Sequence, residues 1–123
     1  MPVRSLHSSV HKWPSRESVA NALGLWSESL PARVPGLLRL GVFGSFARNE
    51  WAYGSDLDLV AVVRPDDSVA RERRRIPFKV ELLPVPADLI VYDENEWDAL
   101  MSSDTRMART LVRETSWLIG PHS

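Results

Sequence analysis

The chain has 123 residues, 25% of them charged, a formal net charge of −1 and no cysteine. That length holds one domain with a real core but not a catalytic domain plus a separate recognition domain, and the absence of thiols excludes disulfides and cysteine-rich metal sites. The near-neutral charge gives no overall pull toward nucleic acid or a membrane, no apolar run reaches spanning length, and the first residues lack the apolar core of a signal peptide, so a soluble, cytoplasmic protein without a membrane partner is expected.

Residues 1–14 show no periodicity and read as a flexible N-terminal arm, with the domain proper over 15–123. His7 and His11 are four apart, a helical metal spacing, but no third ligand is near them in sequence. Pro14-Ser15 reads as a helix start with Ser15 as N-cap and Glu17 in the first turn. Val19, Leu23, Trp26 and Leu30 then recur at helical spacing and give one apolar face, and Pro31 and Pro35 are expected to end the helix.

The most informative stretch is 38–63, LRLGVFGSFARNEWAYGSDLDLVAVV. Leu38, Leu40, Val42 and Phe43 form a short apolar run that Gly44 ends, which suits a buried strand followed by a sharp turn. Ser45 stands where a helix would begin, in the N-cap position. A helix start offers unpaired N–H groups and the positive end of its dipole, so a phosphate is a natural guest there. After ten intervening residues, 46–55, come Asp56-Leu57-Asp58. On one strand Asp56 and Asp58 would share a face, ~6.6 Å apart, with Leu57, Leu59 and Ala61 on the other. Two carboxylates at that separation repel by roughly 2.5 kcal/mol at an effective dielectric near 20, but only about 0.6 kcal/mol in water. An aspartate pair alone is therefore explained by a solvated strand end. Joined to a Gly-Ser turn, it points to a hard divalent cation such as Mg2+, which takes oxygen ligands and shares them with substrate phosphates.

Downstream, Arg64-Pro65-Asp66-Asp67 reads as a turn. The run of Arg71, Arg73, Arg74 and Arg75 reads as a solvated helix face, or as a surface for an acidic partner or polyanion. Pro77, Pro84 and Pro86 leave room only for a short edge strand at 78–82. Residues 87–92 form a third strand, on which Asp88 has no sequence-local cation; a carboxylate buried without a partner is costly, so it should meet metal or solvent at the strand end. Asp93 with Glu96 reads as a capping box opening a helix whose buried face is Trp97, Leu100 and Met101. Ser102-Ser103-Asp104 breaks and recaps it. Met107, Ala108, Leu111 and Val112 give a second apolar face opposite Arg106, Arg109 and Arg113, and 116–119 closes the domain as a short strand or extended tail.

The combination Gly44-Ser45, ten residues, Asp56-x-Asp58, within GSFARNEWAYGSDLDLVAVV, resembles the signature of the DNA polymerase beta-like nucleotidyltransferase superfamily in its minimal, MNT-type form. The resemblance spans roughly residues 20–120. Many relatives carry glycine where this chain has Asn49, a residue that tolerates left-handed backbone angles. The resemblance implies an α/β (α+β) fold: a polymerase beta-like palm, with a short mixed sheet of three or four strands and helices mainly on one face. It is not a Rossmann domain or a P-loop, because neither Gly-x-Gly-x-x-Gly nor Gly-Lys-Ser/Thr follows the first strand.

It also implies roles. Asp56, Asp58 and Asp88 would be the catalytic carboxylates and the ligands of two Mg2+ ions, with Mn2+ as an alternative. Gly44 and Ser45 would hold the β- and γ-phosphates of ATP. Arg48 could help hold the triphosphate or could sit in a structural ion pair, and Ser55 could hydrogen-bond a ligand carboxylate. Trp51 and Tyr53 could stack on a base or simply pack. A lone MNT domain is similar to the antitoxin half of HEPN/MNT toxin–antitoxin pairs, which implies AMP transfer from ATP to a tyrosine of a HEPN-type partner protein. The alternatives are a small-molecule nucleotidyltransferase similar to the aminoglycoside-modifying enzymes, and an antitoxin that neutralises its partner by binding alone.

Overall fold

The computed structural model describes residues 13–52 and 54–120. Most of the expected N-terminal arm, with His7 and His11, lies outside the described residues, as does Tyr53. Ser15 opens helix α1, Arg16–Arg33, its side-chain oxygen accepting the Ser18 N–H at 3.1 Å. Val19, Leu23, Trp26 and Leu30 are all buried, as their spacing requires. Pro31 does not end the helix but lies inside its last turn. There its ring removes a single N–H, and the helix runs two residues further, until the Val34 N–H closes on the Leu30 carbonyl at 2.7 Å.

Four strands form one mixed sheet: β1 at Leu37–Phe43, β2 at Leu57–Val63, β3 at Ala87–Asp93 and β4 at Ser116–Ile119, in the order β3-β2-β1-β4. Strand β1 is antiparallel to β2 and β4, whereas β2 and β3 run parallel. A parallel pair needs a crossover, and residues 64–86 provide it as three single 3-10 turns, at Arg71–Arg73, Ile76–Phe78 and Val80–Leu82. No edge strand forms at 78–82. Instead Lys79 takes a left-handed conformation, and Phe78 is fully buried, its carbonyl accepting the Trp26 indole N–H at 2.9 Å. The arginine run is a solvated face only in part: Arg71, Arg73 and Arg75 are exposed, whereas Arg74 turns inward. Arg74, largely buried, reaches Glu96 at 2.7 Å and Asp93 at 3.3 Å, and Arg71 also pairs with Glu96.

The helices divide between the two faces of the sheet rather than gathering mainly on one. Alternation along β2 is the reason: Leu57, Leu59 and Ala61 pack with α1 and Phe78, while Val60 and Val62 pack on the other side with Trp97 and Leu111. Trp97 belongs to helix α3, Glu94–Met101, capped by the expected Asp93–Glu96 box. Leu111 belongs to helix α4, Arg106–Glu114, whose N-cap is Thr105. Only half of the apolar face expected for α4 is buried: Ala108 and Leu111 are inside, Met107 and Val112 outside. A further helix, α2, is a single turn, Gly44–Ala47, joined directly to β1. Among the described residues no helix is long and apolar enough to cross a membrane.

Candidate active site at the ends of strands β2 and β3

Parallel register places Asp58 of β2 beside Asp88 of β3, on neighbouring strands about 4.8 Å apart. Both share the face of Val60, because Leu57, Leu59 and Leu89 occupy the opposite one. Asp56 departs from the sequence expectation: β2 begins at Leu57, so Asp56 precedes the strand, and its position is not set by strand geometry. Asp56 and Asp88 are exposed, while Asp58 is half-buried. Burial, then the charges of Asp88 and Asp56, raise the Asp58 pKa above the usual carboxylate range, and the Arg48 charge opposes them.

The turn after β1 lies against this carboxylate. Phe43 pairs with Asp58 across the antiparallel ladder, so Gly44 is the next residue along. Gly44 has φ of +77°, and a Cβ placed on it would overlap Asp58 Oδ2. Two constraints thus require glycine here: the left-handed backbone and the closeness of the carboxylate. The N-cap of α2 is Phe43, which puts Gly44 and Ser45 in the first two helical positions instead of Ser45 at the cap. Asn49 adopts the left-handed conformation that its residue type allows, with φ of 63°. Arg16 fastens the turn from outside. Its guanidinium donates to the Phe46 carbonyl at 2.8 Å and lies over the Phe46 ring at 4.2 Å.

The remaining expected residues are engaged elsewhere. Arg48 forms ion pairs with Glu50 and Glu114, both at 3.0 Å. Ser55 closes the loop, its hydroxyl accepting the Ala52 N–H at 3.2 Å. Trp51 packs edge-on against Phe46, with ring centroids 5.7 Å apart. Arg16, Glu50 and Glu114 did not emerge from the sequence. Arg16 is 30 positions from the carbonyl it holds and Glu114 is 66 from Arg48, so no local pattern marks either.

Among the described residues, no three His, Asp or Glu side chains stand grouped at ligand spacing. The donor chemistry nevertheless fits a hard divalent cation. The donors are all carboxylate oxygens, one is half-buried, and its two acidic neighbours disfavour its ionised form until a cation offsets them. Asp58 and Asp88 are brought together by the sheet, with Asp56 near enough for its charge to act on Asp58.

Residues 26–117 match the family described as the nucleotidyltransferase domain. No curated protein is a significant sequence match. A Sulfolobus solfataricus structure described as a nucleotidyltransferase superposes with a TM-score of 0.59 at 20% identity, over 83% of this chain and 80% of that one. A chain of a toxin–antitoxin structure with AMP-PNP superposes with a TM-score of 0.54 at 21% identity, over 83% of this chain and 75% of that one. A mutant of the toxin–antitoxin MntA–HpeT aligns at 17% identity with a TM-score of 0.48, over 89% and 75%. At these identities the likeness concerns the fold.

Proposed function

Because the chain belongs to the nucleotidyltransferase domain family, we propose that it transfers AMP from ATP to a hydroxyl acceptor, a tyrosine of a HEPN-type partner toxin, and so acts as an antitoxin. The observation that carries this reading is the in-register pairing of Asp58 with Asp88 beside the Gly44 turn. A toxin–antitoxin structure with AMP-PNP among the structural neighbours supports the antitoxin role and the nucleotide.

Asp56, Asp58 and Asp88 would hold two Mg2+ ions, or Mn2+. When bound, such ions supply charge stabilisation to the attacking and leaving oxygens of an in-line displacement. The chain's own part is positioning. Gly44 and Ser45 open α2, where N–H groups lack intrahelical partners, and would hold the β- and γ-phosphates. Gly44, lacking a side chain, lets Asp58 lie against the turn that would hold those phosphates. Asp88, exposed at the strand end, would face the acceptor and take its hydroxyl proton. The acceptor oxygen bonds to the α-phosphorus, the bond to pyrophosphate breaks, and pyrophosphate leaves. Most of the rate enhancement comes from orientation and charge placement.

The test is labelled ATP incubated with the chain and its HEPN-type partner. AMP on a partner tyrosine, lost in Asp88→Asn, is the expected result. Full neutralisation of the partner without any AMP on it would overturn the enzymatic reading in favour of docking. AMP on an aminoglycoside instead would move the acceptor class to small molecules.

A further inference from the structure

Arg48 sits just past α2, its own N–H donating to the Gly44 carbonyl at 3.0 Å. Its guanidinium is shared between two carboxylates of different character. Glu50, two residues on, is a solvent-facing local partner, 64% exposed. Glu114 is only 14% exposed and comes from α4. It is the last residue of that helix, where unpaired carbonyls concentrate negative charge and a carboxylate has the wrong sign. Its other cation, the exposed Arg113, is 3.8 Å away. Arg48 therefore compensates a largely buried carboxylate at an unfavourable helix end. The same guanidinium is near enough to the candidate site for its charge to act on Asp58. Bidentate or forked contact with phosphate is the other use to which a guanidinium in this position is suited.

We propose that Glu114 is an affinity-setting residue for the nucleotide site: it holds Arg48 in competition with the triphosphate. This rests on the reading of the Gly44-Ser45 turn as the nucleotide site. Nucleotide binding then draws Arg48 from Glu114, leaving the end of α4 without its compensating charge. Reciprocally, anything that satisfies or removes the Glu114 charge tightens nucleotide binding, because the coupling between two sites is the same in both directions.

The experiment is calorimetric titration of the wild-type chain, Glu114→Gln, Arg48→Ala and the double variant with Mg2+-ATP and with AMP. Glu114→Gln should bind ATP about two- to fivefold more tightly, the scale of one ion pair whose cation stays half-exposed to solvent. AMP, which lacks the β- and γ-phosphates, should be unaffected. Arg48→Ala should bind ATP more weakly, and adding Glu114→Gln to it should change nothing. A Glu114→Gln variant with unchanged or weaker ATP affinity overturns the proposal, as does a gain that persists without Arg48. A folded wild-type chain that binds no ATP would instead remove the nucleotide reading itself, so the two failures are separable.

Discussion

Replacing Gly44 with alanine adds one carbon where β1 turns into α2, and its cost divides into two parts. At φ of +77° an L-residue pays roughly 1–2 kcal/mol for the left-handed conformation. The new Cβ would also overlap Asp58 Oδ2 and lie 3.2 Å from Cγ and 3.4 Å from Cβ of the same residue. Oδ2 is the far end of a side chain with two free torsions, whereas the flanking Leu57 and Leu59 are fully buried. Relief should come from rotation of the carboxylate, with β2 in place. The fold then loses about 1–2 kcal/mol, a fall in Tm of roughly 4–8 °C for a domain of this size. The site loses far more, because a misplacement near 1 Å can cost on the order of 100-fold in rate. AMP transfer from labelled ATP, read beside thermal unfolding, separates the two. The part of the rate loss that acts through the carboxylate should vanish on an Asp58→Asn background, so Gly44→Ala should cost less there than in the wild-type chain. A folded Gly44→Ala variant that transfers AMP at the wild-type rate would refute this reasoning.

Asp58→Asn should raise Tm at neutral pH in the presence of a chelator, because burial and the charges of Asp88 and Asp56 disfavour the ionised form. The folded pKa is raised, so the cost exists above it and the gain should vanish as pH falls below about 3.8, the ordinary carboxyl value. Any stabilisation of the wild-type chain by Mg2+ should be lost in the same variant. Thermal unfolding over pH checks both, and an Asn variant less stable than wild type at pH 7 would contradict them. At the other end of the sheet, burial raises the Glu96 pKa but is outweighed by hydrogen bonds from Arg74, Arg71 and the Asp93 N–H, which bring it to about 2. Its stabilisation should be complete above pH 4.5 and lost as pH falls toward 2. Glu96→Gln should cost about 1–2 kcal/mol at pH 7, allowing for solvent screening, and should flatten the acid limb of a denaturation series. An unchanged acid limb would mean that the clamp contributes nothing.

Much of this architecture was legible in residue types and spacing. The Ser15 cap, the buried face of α1, the Asp93–Glu96 box and the alternation of Leu57, Leu59 and Ala61 are all satisfied within a few residues of chain. The left-handed turn at Gly44 and its tolerance at Asn49 belong to the same class. The misreadings lie where distant groups decide. Arg74 looked like part of a solvated face because its partners, Asp93 and Glu96, are some 20 residues away. The segment 78–82 carried no clear pattern, since what holds Phe78 is the indole of Trp26.

By itself the sequence determined the local grammar of this chain: which residues turn, which cap, which alternate, and that a glycine-serine turn precedes two acidic residues at a fixed interval. Tertiary structure alone decided that Asp88 arrives beside Asp58, that Asp56 falls outside the strand, and that Arg48 is held by Glu114. The reason is the range of the forces. Backbone sterics and capping act between near neighbours along the chain, whereas charge pairing and strand register depend on which surfaces the hydrophobic core brings together, and that is settled only when the sheet has closed.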